Sequence, residues 1–197
     1  MIYKQAKSLI RNGDIILFRR NNFPSVGWWI GKYTQSPYSH VGLAHWEQDE
    51  LYCVEFREFI GSRCEPLSNQ IDESCGRMDI FRAIDVSFID KGILCSVPFT
   101  EEISYRITNF AKSLVGKPYG WYTIWRIFKS YSPFLRFFYE KGTDDKIDST
   151  IYVCSTTVVA SYRKFWLDLV PYMSDDYVSP GDIARSGLIR KILTIDC

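Results

Sequence analysis

The sequence has few histidines, no excess of positive or negative charge and no long apolar runs. Its 197 residues include two histidines, at positions 40 and 45, and 24 basic residues stand against 23 acidic ones. A nucleic-acid-binding protein normally carries a clear basic excess, so we expect no nucleic-acid partner. No run approaches the roughly 18 uncharged apolar residues of a spanning helix. The N-terminal segment, with Lys4, Lys7 and Arg11, does not resemble a secretion signal. We therefore expect a cytoplasmic or membrane-peripheral protein.

The six cysteines are scattered and include no CxxC pair. Zinc modules space their paired thiols two to four residues apart, whereas Cys53, Cys64 and Cys75 are separated by much longer gaps. Scattered thiols are typical of a reduced intracellular chain. The spacing predicts no metal site and no cofactor.

Aromatic residues are abundant, at 16% of the chain. A groove lined with rings or a membrane-facing surface would use such a surplus. The richest stretch is residues 119–139, YGWYTIWRIFKSYSPFLRFFY, whose charges are all basic. Its periodicity fits either a buried helix that closes the core or a lid or lipid-facing helix. We therefore predict one domain over residues 1–197, with an aromatic and basic insertion around 119–150.

Hydrophobic periodicity predicts an α+β fold in which an antiparallel sheet packs against helices. The β-rich runs predict strands at residues 14–18, 38–46, 51–57, 77–84 and 189–195. Helical spacing predicts helices at residues 2–11, 25–34, 99–115 and 154–169. Residues 47–50 are expected to form a four-residue hairpin turn. The segment 58–76 is polar and is expected to be irregular.

The predicted hairpin places His40 and Glu55 on one face of the sheet. An even-length turn sets Gly42 opposite Glu55, and strand alternation puts His40 on the same side as Gly42. A carboxylate near an imidazole can fix its tautomer and stabilise the imidazolium. The alternative is that His40 caps a strand and Glu55 is a solvated edge residue.

Cys154 lies where a β-branched run, Tyr152-Val153, meets the predicted start of a helix. Free backbone N–H groups and the helix dipole would stabilise a thiolate there, and a nearby imidazole would do the same. The backbone N–H of Cys154 is then placed to hold an oxyanion. The alternative is that Cys154 is a buried small hydrophobe.

Six short motifs in one order resemble the NlpC-type branch of the papain-like cysteine hydrolase superfamily, in the circularly permuted form of the YiiX-like group. They are RNGDIILF at 11–18, WWIGKYTQSPYSHVGL at 28–43, YCVEF at 52–56, AKSLVGKPYGW at 111–121, YVCSTTVVASY at 152–162 and SPGDIARSG at 179–187. In the permuted group the hairpin precedes the helix that carries the cysteine, as it does here. The resemblance implies a permuted papain-like fold with the nucleophile at a helix N-terminus.

The resemblance also implies roles for individual residues. Cys154 would be the nucleophile, His40 the base that takes its proton, and Glu55 the group that orients His40. Tyr119, in the GKPYG motif, would lie beside the nucleophile and donate its hydroxyl to the oxyanion.

The implied activity is that of a cysteine-dependent hydrolase or acyltransferase, which attacks an amide or ester through a thioester. The substrate class stays open between a lipid and a peptide or peptidoglycan amide. We expect Trp28, Ser39 and Trp121 to contact it. The alternatives are a non-catalytic binding module that keeps the same groove, or a peripheral membrane protein. His45, on the opposite strand face from His40, is predicted to be structural.

Overall fold

The computed structural model describes residues 1–19, 26–74, 77–90, 93–121 and 152–196. Most of the predicted aromatic insertion, from residue 122 to residue 151, lies outside the described residues. The alternatives of a core helix, a lid or a lipid-facing helix for that stretch therefore stay predictions.

An antiparallel sheet forms the centre of the fold. Its strands along the chain are β1 (Ile15–Arg19), β2 (Tyr38–Glu47), β3 (Glu50–Arg57), β4 (Gly61–Pro66), β5 (Met78–Ala83) and β8 (Ile189–Ile195). They lie side by side in the order β4-β3-β2-β1-β5-β8, and each neighbouring pair is antiparallel. A separate antiparallel hairpin joins β6 (Val86–Asp90) and β7 (Ile93–Val97).

Helices cover the sheet. The described α-helices are α1 (Tyr3–Ala6), α2 (Val26–Tyr33), α3 (Leu67–Ser74), α4 (Glu101–Ser113), α5 (Cys154–Arg163) and α6 (Pro180–Ala184). Short 3₁₀ turns span Lys7–Leu9 and Asp175–Tyr177. None of the helices within the described ranges is long and apolar enough to cross a membrane.

Apolar side chains alternate along the central strands and fill a core on each face of the sheet. One core lies between the sheet and helices α4, α5 and α6, and includes Ile15, Leu17, Val41, Leu43, Val54, Ile107, Val158, Tyr162 and Ile183. The other lies between the sheet and the α1 and α3 segments, and includes Ala6, Ile16, Phe18, Ala44, Cys53, Leu67 and Ile80. Burial on both faces explains why β1 is an unbroken apolar run. The predicted α+β class, with helices on an antiparallel sheet, is confirmed.

A buried carboxylate ties four of the strands together. Asp79 of β5 accepts from Arg19 of β1 at 2.8 Å and from the Tyr38 hydroxyl of β2 at 2.6 Å. Its other oxygen accepts from Lys191 and Thr194 of β8, both at 2.6 Å. Burial raises the pKa of Asp79, but these donors outweigh it and lower the pKa to about 2. The charge is therefore kept in the interior of the sheet.

The hairpin between β2 and β3 has the predicted register with a shorter turn. Glu47 pairs with Glu50, which leaves Gln48 and Asp49 as a two-residue turn. Both turn residues have positive φ, 47° and 65°, as a type I′ turn requires. The even turn length keeps the predicted pairing of Gly42 with Glu55.

Two other sequence expectations were wrong. Segment 58–76 contains a strand, β4, and a helix, α3. Between its polar residues lie side chains that reach the core, and their burial stabilises this regular structure. Helix α5 ends at Arg163, earlier than the predicted residue 169. The chain turns away at Trp166, whose φ is 68°, and the next backbone N–H, that of Leu167, donates back to the Tyr162 carbonyl at 3.2 Å.

Candidate active site

The structure brings His40 and Glu55 into direct contact. His40 is near the start of β2, and Glu55 lies on the adjacent strand β3. Nε2 of the imidazole donates to Oε2 of the carboxylate at 2.6 Å. The other side of the imidazole packs near Phe18, its partner in β1, with the ring centroids 5.2 Å apart. The ring is thereby held in one orientation.

Three further side chains surround the Glu55 carboxylate. Its Oε1 accepts from Nε of Arg63 at 2.8 Å and from Nε2 of Gln70 at 2.9 Å, and it forms an ion pair with Nε of Arg57 at 3.2 Å. Glu55 is only 1% exposed. Burial alone would raise its pKa, but His40, Arg57 and Arg63 outweigh it and lower the pKa to about 2. Glu55 is therefore ionised although it is buried.

Cys154 is the first residue of α5 and is 2% exposed. Val153 before it is extended, and its backbone N–H donates to the Thr156 hydroxyl at 2.7 Å. The Val153 carbonyl then accepts the first helical bond, from the Thr157 N–H at 3.0 Å. The first turn of a helix leaves its amide N–H groups without intrahelical acceptors, so the Cys154 side chain lies at the positive end of the helix dipole.

His40 also lies near enough to Cys154 for the cysteine to act on its pKa. Burial lowers the pKa of the imidazole, but the charge of Glu55 and the interaction with Cys154 outweigh burial and raise the pKa to about 10. The ring is therefore held as an imidazolium between a carboxylate and a sulfur atom. This is the arrangement in which an imidazole moves a proton to or from a thiol.

Tyr119 lies close to the cysteine. Its side chain is 9% exposed and packs with Phe56 and with Val153, the neighbour of Cys154. The backbone N–H of Gly120 donates to the Tyr152 carbonyl at 2.9 Å, which ties this segment to the approach of α5. Burial raises the pKa of Tyr119, and the charges of Cys154 and Glu58 raise it further. The phenol is therefore a neutral hydrogen-bond donor.

The three residues predicted to contact substrate lie in three different segments of the chain. Trp121 is beside Tyr119, with ring centroids 5.2 Å apart, on the Cys154 side. Ser39 is half-buried and directly precedes His40 in β2. Trp28 is on α2, where its ring packs edge-on against Trp29 and lies under the Lys32 ammonium group, at 4.8 Å. Their contact with substrate stays a prediction.

The sequence analysis missed Arg63 and Gln70, which hold the Glu55 carboxylate. Both belong to the segment that was expected to be irregular. Arg63 is the direct cross-strand partner of Glu55. Gln70 lies on the same face of α3 as Leu67 and Ile71, and this i, i+3, i+4 spacing is a helix signal that can be read from the sequence.

The remaining histidine and the neighbouring thiol lie in the interior. His45 is buried, and its Nδ1 is 3.4 Å from the Thr108 hydroxyl of α4. Burial lowers the pKa of His45, so its ring is neutral, as suits a structural residue. Cys53 is fully buried, and burial raises its pKa well above the usual range. It is therefore not an activated thiol.

Comparisons with known proteins support the fold. No family model and no curated protein matches the sequence. Among solved structures, the chain is similar to the crystal structure of the metalloprotein YiiX from Escherichia coli O157:H7, with a TM-score of 0.62 and 16% sequence identity. The similarity covers 93% of this chain and 96% of that one. At this identity it shows a shared fold and nothing about activity.

YiiX is described as a metalloprotein, but the site of this chain does not suit a metal ion. Metal-binding carboxylates need free lone pairs and no competing cations. Glu55 instead forms ion pairs with Arg57 and Arg63. Across the described parts of the chain, no group of three or more His, Cys, Asp or Glu side chains is arranged to hold a metal. The donor set around His40 therefore does not fit a metal ion.

Proposed function

We propose that this chain is a cysteine-dependent hydrolase or acyltransferase that cleaves an amide or ester bond through a thioester on Cys154. The observation that carries the proposal is the 2.6 Å hydrogen bond between the His40 imidazole and the buried, ionised carboxylate of Glu55. The same imidazole interacts with Cys154, the first residue of a helix.

The first half of the reaction forms the thioester. Because Nε2 of His40 is held by Glu55, the other ring nitrogen, Nδ1, carries the proton that the Cys154 thiol gives up before the attack. The sulfur attacks the substrate carbonyl carbon and forms a C–S bond. The backbone N–H of Cys154 and the neutral hydroxyl of Tyr119 donate to the oxyanion of the tetrahedral intermediate.

The second half releases the product. When the intermediate collapses, the C–N or C–O bond breaks and the imidazolium returns its proton to the leaving amine or alkoxide. Water or another nucleophile then gives up a proton to His40 and attacks the thioester, and Cys154 leaves as the thiolate. Glu55 stays ionised throughout and stabilises each imidazolium that forms.

We also propose that the fold is a circularly permuted, single-domain version of the papain-like NlpC type. The support is the chain order of the site, in which the β2–β3 hairpin with His40 and Glu55 precedes α5 with Cys154.

Alkylation by iodoacetamide at pH about 6, read out by peptide mapping of all six cysteines, tests the proposal. Ordinary thiols are almost fully protonated at this pH, whereas a thiolate paired with an imidazolium stays reactive. We expect Cys154 to be modified first. In His40→Ala its alkylation rate should fall by roughly two orders of magnitude.

The matched control is His45→Gln, which removes the other histidine and should leave Cys154 the fastest cysteine. If Cys154 reacts no faster than the half-buried Cys64 in the wild type, the thiol is not activated and the proposal fails. The non-catalytic binding module would then be the better account of the groove.

A further inference from the structure

The turn between β3 and β4 presents apolar side chains to solvent. Phe59 is 86% exposed, and the adjacent Ile60 is exposed as well. Phe59 also has a φ of 65°, a left-handed conformation that is unfavourable for a bulky side chain. Among the described residues, Phe59 is therefore an exposed ring in a conformation that glycine or asparagine favours, and an exposed apolar patch is one mark of a binding surface.

Three rings connect this turn to the candidate nucleophile. The centroid of Phe59 is 4.8 Å from that of Trp121, which is 43% exposed. Trp121 is in turn 5.2 Å from Tyr119, which lies beside Cys154. We name Phe59, Trp121 and Tyr119 the aromatic row. It leads from the surface to a buried tyrosine that packs in one cluster with Val153, the neighbour of Cys154.

Hydrogen bonds hold the row in place. The Ser62 N–H donates to the Lys117 carbonyl at 3.0 Å, and the Ser62 hydroxyl donates to the Leu114 carbonyl at 2.7 Å. Gly61 has a φ of 88°, and a Cβ there would lie 2.7 Å from the Lys117 carbonyl oxygen. The β3–β4 turn and the segment that carries Tyr119 and Trp121 are therefore fastened together.

We propose that the aromatic row binds the apolar acyl chain of the substrate that Cys154 attacks. This inference rests on the proposed function and names its substrate class, an ester or amide of an alkyl acid. Faces of aromatic rings offer apolar area to an alkyl chain, and Phe59, the outermost ring of the row, has no hydrogen-bonding group for peptide N–H or C=O groups. The negative charge of Glu58 acts on Tyr119, so a neutral chain fits this row better than an anionic headgroup.

A series of p-nitrophenyl esters from acetate to octanoate tests the proposal by kcat/KM. Each methylene that reaches the row should raise kcat/KM about fourfold, which corresponds to about 0.8 kcal/mol. In Phe59→Asn, the ratio of the octanoate to the acetate value should fall at least tenfold. Asparagine tolerates the left-handed conformation, so this variant keeps the turn while removing the ring.

The matched control is Trp29→Ser, which removes an exposed aromatic residue of α2 that lies outside the row. Its octanoate-to-acetate ratio should equal that of the wild type. If hydrolysis depends on Cys154 but the ratio is flat, or is unchanged in Phe59→Asn, the aromatic row is not the acyl site and the proposed function stands.

If no ester is hydrolysed, calorimetric binding of the neutral probes 1-octanol and 1-butanol to Cys154→Ala decides the question for the row alone. Octanol should bind at least tenfold more tightly than butanol, and adding Phe59→Asn should remove the difference. Equal affinities would overturn the aromatic row as a chain-binding site, whatever the activity of the thiol.

Discussion

At the scale of single residues, Glu55 keeps its charge in the interior because donors surround both carboxylate oxygens. One oxygen accepts from His40, and the other accepts from Arg63 and Gln70 and forms an ion pair with Arg57. A buried carboxylate with fewer partners would bind a proton and lose its hold on the imidazole. The cluster therefore keeps His40 oriented and positively charged.

The His40–Glu55 pair should stabilise the fold most strongly in mildly acidic solution. The pKa of His40 is raised from 6.5 to about 10, so its contribution is complete below pH 6.5 and is lost as the pH rises through 10. The pKa of Glu55 is lowered from 4.5 to about 2, so its contribution is complete above pH 4.5 and is lost as the pH falls through 2. Both contributions are complete between pH 4.5 and 6.5.

The measurement is the difference in the free energy of unfolding between wild type and Glu55→Gln, from urea denaturation at pH values inside and outside the interval from 4.5 to 6.5. This difference should reach about 3–5 kcal/mol inside the interval, the usual loss for a broken buried pair, and should shrink at lower and at higher pH. Cys154→Ser is the companion variant. Because the interaction with Cys154 raises the pKa of His40, the decrease of this free-energy difference on the alkaline side should begin at lower pH without the sulfur. A difference that does not vary with pH would contradict the ion pair.

Strand alternation could place His40 and Glu55 on one face, and the local pattern could place Cys154 at a helix start, because both are short-range features. Their roles were predicted only through the family resemblance. Arg63 and Gln70 could not be assigned to the site in this way, since their role depends on β4 and α3 folding back against β3. The secondary structure of a polar segment of this length cannot be assigned from its sequence alone, because it depends on the strands and helices that pack against it.

At the scale of secondary-structure elements, the β2–β3 hairpin sets the geometry of the site. Gly42 of β2 lies opposite Glu55, and a Cβ at this position would be 2.5 Å from the Cys53 sulfur and 3.3 Å from the Glu55 Cβ. The absence of a side chain at residue 42 therefore lets the two strands carry Cys53 and Glu55 side by side on one face.

Gly42→Ala should lower the free energy of unfolding by about 1–3 kcal/mol, because the added methyl group overpacks against Cys53. The double variant Gly42→Ala/Cys53→Ala should recover part of that loss, since the sulfur is gone but the Val54 carbonyl oxygen remains 3.1 Å from the new Cβ. A double-mutant cycle in urea measures this coupling.

Gly187→Ala is the matched control, because nothing lies within 4 Å of a Cβ at that position. Its effect should stay within about 0.5 kcal/mol. Additive effects of Gly42→Ala and Cys53→Ala would show that the sulfur is not the obstacle.

At the scale of the whole molecule, the sheet is held by apolar cores on both faces and by the Asp79 cluster across four strands. The sequence pattern predicted the α+β class and five of the strands, because each is an apolar run bounded by polar or turn residues. It could not predict the Asp79 cluster, whose members come from four strands that are distant along the chain.

Asp79→Asn should destabilise the protein by about 1–3 kcal/mol, because the buried group that accepts from Arg19, Tyr38 and Lys191 loses its charge, while the two cations are about one-third or more exposed and stay partly hydrated. Thermal or urea unfolding measures the loss. Glu102→Gln is the matched control, since Glu102 forms an exposed ion pair with Arg106 within α4 and should change stability by less than about 1 kcal/mol. Equal effects of the two substitutions would mean that the Asp79 cluster does not brace the sheet.

The two-residue turn at Gln48 and Asp49 constrains how chains of this kind can change length over evolution. Adding one residue there would rotate every side chain of β3 to the opposite side and separate the carboxylate from the imidazole, unless a bulge absorbed it. Adding two would leave the partnership intact. Descendants that keep the histidine and the glutamate should therefore differ in this turn by even numbers of residues, with odd steps accompanied by a bulge.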